Sequence, residues 1–232
     1  MGYPVEMIGK DTKLFSIIGE SAIESKKESL FNDIFKAKDL DMMVMPLNIR
    51  NDDLGYFLYN FKNSKVSGAY FQREYWEDVC NLLKDEIDDE AKICGIVDSL
   101  DVVDGKNRAY VVVGEAISSL FEFKDKRVGI CGDTPMIKSA LYHLKQKGVD
   151  EFIFYDDIIE RTLELTKIID RCRYDVIRVE GSSFETDTDI LLLDRDDLSP
   201  KGDSKVINLS LEFDKIEKEI AKIKTREWIE NG

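Results

Sequence analysis

The chain has 232 residues, of which 43% are hydrophobic, enough to pack one large domain or two small ones. Its formal net charge of −14 argues against nucleic acid and anionic membranes as partners. No apolar run has the length of a membrane-spanning helix, and the first residues lack the basic and apolar regions of a signal peptide, so we expect a cytoplasmic protein.

Metal and thiol chemistry have little support in the sequence. The four cysteines show no Cys-x-x-Cys spacing and sit among apolar residues, which predicts buried, reduced thiols. The one histidine, His143, lies in a predicted helix, and its neighbours include no group that would orient it for catalysis. We therefore predict no metal site and no histidine-based triad.

The first half of the chain alternates apolar strands with amphipathic helices, which predicts a mostly parallel sheet covered by helices. Asp104-Gly105 lies between two apolar runs and is typical of a hairpin turn. Residues 51–53 are interpreted as a helix cap. Strands are predicted at 14–18, 42–46, 66–71, 96–103 and 108–113, and helices at 26–38, 54–58 and 75–83.

After a connecting helix at 115–121, the second half repeats strand–helix units, as in a doubly wound sheet. Strands are predicted at 128–131, 152–155, 175–179, 189–193 and 205–209, and helices at 135–147, 158–171 and 211–228. The last helix has an apolar face of Leu211, Ile216, Ile220 and Ile223, which packs on its own sheet or on a partner. The predicted fold is α/β: an N-terminal, mostly parallel substrate-type domain (1–114) and a C-terminal Rossmann-like doubly wound domain (115–232).

The turn after the strand at 128–131 has the outline of a dinucleotide-binding loop. Gly132 keeps the glycine that lets backbone approach phosphates, but Asp133, Thr134 and Pro135 follow it. Thr134 or Asp133 can cap the next helix, with Pro135 as its first residue. An aspartate about 5 Å from a phosphate charge costs roughly 3 kcal/mol at an effective dielectric near 20. The loop thus has a structural explanation as well as a cofactor-binding one.

The order of elements resembles the shikimate dehydrogenase family over roughly residues 13–209. The family's first landmark is a Ser-x-Ser element, followed by a helix that carries an asparagine. Here Ser25-Lys26-Lys27 precedes Asn32. The family's two serines bind the substrate carboxylate, so Ser25 fits, and Lys27 could attract a carboxylate as a point charge. Alternatively, Lys26 and Lys27 are a solvated pair at a helix start.

The resemblance places a catalytic lysine and aspartate where this chain has neither. Along Gly-x-Asn-Val-Thr-x-Pro-His-Lys, aligned from Gly68, the threonine position holds Gln72 and the lysine position holds Trp76. The family's aspartate, in Gly-Tyr-Asn-Thr-Asp-Gly, has become Val113. Neither side chain titrates, and Arg73, the nearest cation, is a poor proton shuttle. Trp76 is therefore interpreted as filling the core or the cleft.

Two further landmarks of the family are altered. Its Gly-Ala-x-Asn-Thr becomes Gly95-Ile-Val-Asp98-Ser99, and Asp98 and Ser99 could still hydrogen-bond a polyol hydroxyl. Its Asn-Arg-Thr, whose arginine favours a 2′-phosphate, becomes Asp156-Asp157-Ile158, so NADP is disfavoured. Asp156 could accept from a ribose hydroxyl as in NAD sites, or cap the next helix. We predict no cofactor, with NAD the alternative on Gly132, Asp133, Thr134 and Asp156.

These substitutions favour a shikimate dehydrogenase-like protein without catalysis, acting as a binding or regulatory protein. The ligand would be a small polyol or carboxylate, and a homodimer is the partner arrangement we consider. The implied ligand-binding residues are Ser25, Lys27, Gln72, Asp98 and Ser99. The alternative is an active NAD(P)-dependent shikimate or quinate dehydrogenase with a rewired site, reducing 3-dehydroshikimate in aromatic amino acid biosynthesis. A different enzyme using Asp98, Arg73 or Lys27 is a third hypothesis.

Overall fold

The chain folds into two α/β units, described over residues 9–230 of a computed structural model. The first unit runs to Val112 and includes the residues from Ile220 onward, and the second runs from Val113 to Glu219. The sequence assigned residues 115–232 wholly to the second domain. The C-terminal segment groups with the first unit instead because Trp228 stacks on Phe15, with ring centres 4.0 Å apart.

The first unit is built on a five-stranded mixed sheet in the order β2-β1-β3-β4-β5. Three parallel strands, β1 (Lys13–Gly19), β2 (Met42–Asn48) and β3 (Val66–Phe71), are extended by an antiparallel hairpin, β4 (Ser99–Val103) and β5 (Lys106–Tyr110). The helices are α1 (Ala22–Ser25), α2 (Glu28–Ala37), α3 (Asn51–Phe61), α4 (Trp76–Leu82) and α5 (Asp89–Cys94).

Local chemistry explains where these elements turn and begin. Asp104 and Gly105 both have positive φ, 51° and 72°, as the predicted hairpin turn requires. The cap predicted at 51–53 is wrong, because helix α3 already starts at Asn51 and its N-cap is Arg50. Helix α5 was not predicted; the Asp88 side chain caps it by accepting from the Ala91 N–H at 2.8 Å.

The second unit is built on a five-stranded parallel sheet in the order β12-β10-β6-β7-β8. Its strands are β6 (Val128–Cys131), β7 (Glu151–Asp156), β8 (Arg173–Arg178), β10 (Ile190–Leu193) and β12 (Lys205–Asn208). The short strands β9 (Ser183–Glu185) and β11 (Ser199–Lys201) form a separate parallel pair. The helices are α6 (Val113–Leu120), α7 (Pro135–Gln146) and α8 (Ile159–Ile168).

In this order β7 and β8 lie on one side of β6, and β10 and β12 lie on the other, as in a doubly wound Rossmann-type sheet. The predicted fold class is confirmed. The turn between β6 and α7 therefore lies at the carboxyl edge of the sheet, beside the ends of β7 and β10. In the first unit, the carboxyl ends of β1 and β3 likewise share one edge. These two edges position the candidate site residues.

The last helix, α9 (Phe213–Glu230), begins in the second unit and ends in the first. Ile216, Ile220 and Ile223 are buried on it as predicted, but Leu211 is 83% exposed because it precedes the helix. Within residues 9–230, no helix has the length and apolar character needed to cross a membrane. Cys80, Cys94 and Cys131 are buried as predicted, whereas Cys172 is half-buried, and within the described residues these four cysteines form no disulfide.

Candidate functional site

Ser25 and Gln72 meet at the carboxyl edge of the first sheet. Gln72 directly follows β3, and its backbone N–H donates to the Ile18 carbonyl of β1 at 2.8 Å. Its side-chain Nε2 donates to Ser25 Oγ at 2.7 Å, and Ser25 Oγ donates to the Ala22 carbonyl at 2.7 Å. A Cβ on Gly19 would lie 2.2 Å from Gln72 Oε1, so glycine is needed there for the side chain to fit. The structure thus brings together two predicted ligand-binding residues.

Lys27 lies beside this pair. It connects α1 to α2 and is half-buried, and its backbone N–H donates to Ser25 Oγ at 3.4 Å. Ser25 is exposed, so a ligand that reaches its hydroxyl also meets the end of α1. Whether the Lys27 side chain attracts a carboxylate or only begins a helix stays a prediction.

The Trp76 side chain is directed into the core. Its indole is 2% exposed, and Nε1 donates to the Phe71 carbonyl at 2.7 Å. The neighbouring Tyr75 hydroxyl hydrogen-bonds the Ile49 carbonyl. Burial, reinforced by Glu20 and nearby carboxylates, raises the pKa of Tyr75 to about 12. Both aromatic side chains therefore have structural partners, and neither offers a group that titrates near neutral pH.

Asp98 and Ser99 lie at the start of β4 and are fully buried. Both carboxylate oxygens of Asp98 accept from the Val112 N–H at 2.9 Å, and Ser99 Oγ donates to Asp98 Oδ1 at 2.8 Å. The Asp98 carboxylate thus connects the start of β4 to the segment after β5 by hydrogen bonds. Val113, at the family's aspartate position, is the first residue of α6 and is fully buried.

In the second unit, the turn after β6 keeps the shape of a phosphate loop. Gly132 has φ 121°, and a Cβ there would lie 3.1 Å from the Asp194 carbonyl oxygen. Thr134 is the N-cap of α7: its Oγ1 accepts from the Ile137 N–H at 3.4 Å. The same hydroxyl donates to the Asp194 carboxylate, at the end of β10. Asp133 is exposed. Two carboxylates, of Asp133 and Asp194, therefore lie at the helix start where a phosphate would sit.

Arg195, which the sequence did not single out, follows β10, and its side chain reaches the carboxylates at the end of β7. Arg195 Nη1 lies 2.5 Å from Asp157 Oδ1 and 3.4 Å from Asp156 Oδ1, and its Nε and Nη2 bind Asp197 at 2.9 and 2.5 Å. Asp156 Oδ1 also accepts from the Ile158 N–H at 2.8 Å. Asp156 therefore forms a turn before α8, whose N-cap is Ile158, and does not itself cap the helix.

Arg195 and burial shift the pKa values of the two neighbouring carboxyls in opposite directions. The hydrogen bond from Arg195 holds the pKa of Asp157 down to about 2, whereas burial raises the pKa of Asp156. Burial also raises the pKa of the nearby Cys131 thiol to about 12, so that thiol stays protonated at neutral pH. The carboxylate that would accept from a ribose in an NAD site is thus already engaged by a cation.

A second unpredicted group, the Lys224 cluster, consists of Lys224, Asp101, Tyr110, Glu227 and Trp228 in the core of the first unit. Lys224 is fully buried, with Nζ 3.1 and 3.2 Å from the two Asp101 carboxylate oxygens and 3.6 Å from Glu227 Oε2. Nζ also hydrogen-bonds the Tyr110 hydroxyl. The Trp228 indole N–H donates to Asp101 Oδ1 at 2.8 Å.

The Lys224 cluster attaches the end of α9 to the first sheet. Lys224 Nζ also lies over the Tyr110 and Trp228 rings, 4.4 and 4.9 Å from their centres. A Cβ on Gly68 would lie 2.4 Å from Asp101 Oδ1, so β3 needs a glycine opposite the carboxylate. Burial, followed by Asp101 and Glu227, raises the pKa of Tyr110 far above its usual value. The cluster is a structural ion network without an opening to solvent at Lys224.

The chain is similar in sequence to curated shikimate dehydrogenases, although no protein-family model matches it. It is 23% identical over 169 residues to a shikimate dehydrogenase (NADP(+)) of Sulfolobus acidocaldarius, covering 73% of the chain and 63% of the relative. It is 27% identical over 167 residues to the enzyme of the same name from Carboxydothermus hydrogenoformans, covering 69% and 58%. The chain thus spans about three-fifths of the length of these curated relatives.

Solved structures share the fold. A ligand-free 5-ketofructose reductase of a Gluconobacter strain aligns with a TM-score of 0.68 at 16% identity, covering 80% of this chain and 69% of that one. A shikimate 5-dehydrogenase from Listeria monocytogenes, in complex with shikimate and NAD, gives 0.62 at 16% identity, covering 79% and 71%. A shikimate dehydrogenase in complex with NADP+ gives 0.62 at 20% identity, covering 80% and 67%. The chain is therefore similar in sequence to shikimate dehydrogenases and shares their α/β fold.

Proposed function

We propose that the chain is a non-catalytic relative of the shikimate dehydrogenases that binds a small carboxylate or polyol. The observation that carries the proposal is the chemistry at the two positions of the proton-transfer pair. Trp76 is buried with its N–H on a backbone carbonyl, and Val113 is apolar and fully buried. Oxidation of a secondary alcohol by hydride transfer also requires removal of the hydroxyl proton, and neither side chain can accept it.

The ligand would contact the exposed part of the first unit's edge. Ser25 is exposed, and its hydroxyl is already presented toward Gln72 and the Lys27 backbone. A ligand oxygen can replace the Gln72–Ser25 hydrogen bond at little cost, because the amide and hydroxyl are then both satisfied by the ligand. Asp98 and Ser99 are fully buried and bound to each other, so we assign them to the support of the fold.

A dinucleotide does not fit the residues of the second unit well. Gly132 allows close backbone approach, but Asp133 and Asp194 place negative charge at the start of α7. Arg195 is neutralised by Asp156, Asp157 and Asp197 and is not available to a 2′-phosphate. We therefore propose that NADP is disfavoured in this chain and derive no step through either cofactor. The relatives argue the other way, since their names specify NADP(+).

The alternative is an active dehydrogenase with a rewired site, favoured by curated relatives that match about 70% of the chain. Thermal-shift titrations separate the two. A ligand at about 100 times its dissociation constant adds about 2.7 kcal/mol to stability. We expect shikimate to raise the melting temperature, and NAD and NADP to leave it unchanged.

Two serine variants test whether a shikimate shift comes from the proposed edge. Ser25→Ala should abolish the shift. Ser29→Ala should retain it, because the Ser29 hydroxyl on α2 donates to the Lys26 carbonyl and takes no part in the proposed site. A shift with NADP that is accompanied by turnover would replace the proposal with the alternative. The absence of a shift with shikimate would refute the binding role.

A further inference from the structure

Strand β8 is an edge strand that exposes both of its faces. It ends the sheet order, pairing only with β7 among the described strands. Tyr174 and Ile177 are three positions apart and therefore lie on opposite faces of the strand. Tyr174 is 49% exposed and Ile177 is 42% exposed. The preceding helix α8 adds the exposed apolar side chains Ile159 and Leu163. An exposed edge strand of this kind is a template for pairing with another strand.

The backbone geometry shows which groups are available at this edge. The Arg173 N–H donates to the Asp150 carbonyl at 2.8 Å, and the Val179 N–H donates to the Asp156 carbonyl at 2.9 Å. The odd-numbered residues of β8 therefore direct their N–H and C=O groups toward β7. Tyr174, Val176 and Arg178 direct theirs away from it, because backbone groups alternate along a strand.

We propose that β8 pairs with β8 of a second copy of this chain, antiparallel, with Tyr174 on the two-fold axis. In this register each Tyr174 exchanges two N–H···O bonds with the partner's Tyr174. Arg173 and Asp175 flank Tyr174 on one face, so each Arg173 lies opposite the partner's Asp175, and the pair occurs twice. The interface uses the same strand on both copies, as a two-fold dimer requires.

Charge selects this register over its neighbours. A two-fold axis on Asp175 would place two carboxylates directly opposite each other, which destabilises a strand pair. An axis on Val176 would place Asp175 opposite the partner's Ile177 and lose both ion pairs. The axis on Tyr174 gives two opposite-charge pairs and one aromatic pair, each of which stabilises antiparallel strands. A second copy is therefore the occupant that this edge complements.

Sedimentation velocity of the full chain over a wide concentration range tests the dimer. Asp175→Arg should weaken dimerisation by about tenfold or more, since two attractive cross-strand pairs become two repulsive ones. Arg173→Asp should do the same. The double variant, R173D with D175R, exchanges the charges and should restore the wild-type affinity. Lys106→Asp, a reversal on edge strand β5 of the first sheet, is the matched control and should have no effect.

Circular dichroism melts check that each variant is folded, which matters because Arg173 also lies 3.1 Å from Glu151 of its own chain. Asp175→Arg leaves that contact in place and is the cleaner of the two single variants. A wild-type chain that stays monomeric at every concentration would overturn the proposal. So would a dimer that neither single reversal weakens, or one that the charge exchange fails to restore.

Discussion

The Lys224 cluster makes a quantitative prediction about the stability of the first unit. Lys224→Met keeps the length of the side chain and removes its charge, leaving the Asp101 carboxylate buried beside Tyr110 and Trp228. Breaking a buried ion pair by removing one partner costs about 3–5 kcal/mol. We expect about 3 kcal/mol, the lower end of that range, because Asp101 keeps the Trp228 N–H and the Tyr110 O–H as donors.

Tryptophan fluorescence during urea unfolding measures this change in the right part of the molecule. The chain has two tryptophans, Trp76 and Trp228, and both belong to the first unit. Lys222→Met, an exposed lysine on the same helix, is the matched control and should change the free energy of unfolding by under about 1 kcal/mol. Adding Asp101→Asn to Lys224→Met should recover much of the loss, since the uncompensated charge is then gone.

The result that refutes this reasoning is a Lys224→Met variant as stable as Lys222→Met. That outcome would mean that the Asp101 carboxylate does not need Lys224 as a partner in the folded chain. A double variant less stable than Lys224→Met alone would also contradict it, because the amide would then be a poorer partner than an unpaired carboxylate.

Three further predictions concern individual groups. Tyr75 and Tyr110 have folded-state pKa values above the ordinary 10, so their contribution to stability is fully present below pH 10 and declines above it. The Tyr75 contribution is lost as the pH passes about 12, which phenolate absorbance and unfolding curves will show. Cys172 should be alkylated before Cys131, whose buried thiol has a pKa of about 12, as peptide mass spectrometry of the native chain will report. Arg195→Met should raise the pKa of Asp157 from about 2 toward its ordinary 3.8 in a carboxyl NMR titration, and an unchanged value would mean that Arg195 does not bind it.

The regular elements were predictable because their patterns are periodic and local. The apolar strands and amphipathic helices of both sheets, and the Asp104-Gly105 turn, follow from spacing alone. Helix α5, with six residues, and strands β9 and β11, with three each, were missed because they are short. Segments of that length are too short to show a repeating pattern of apolar residues. The acidic residues around α5 are also typical of a loop. The one indication of a helix was Asp88, an aspartate that can cap a helix N-terminus and accepts from the Ala91 N–H.

The candidate site was predictable only where neighbouring elements supply it. Ser25 and Gln72 meet because β1 and β3 are adjacent parallel strands, and their ends share an edge. Arg195 was missed because its partners Asp156 and Asp157 are 39 and 38 positions away, on another strand. Lys224 was missed because a lysine on an amphipathic helix is usually exposed. Its position four residues after buried Ile220 was the signal, since that spacing places it on the apolar face.

The most direct test of the central claim is an assay of 3-dehydroshikimate reduction by the purified full chain, with NADPH and then with NADH as the reductant. A shikimate dehydrogenase of established activity run in parallel shows that the assay works. Our account predicts no enzyme-dependent oxidation of either reductant, because Trp76 and Val113 cannot transfer the hydroxyl proton. Steady turnover that is lost on heat denaturation of the chain would contradict it.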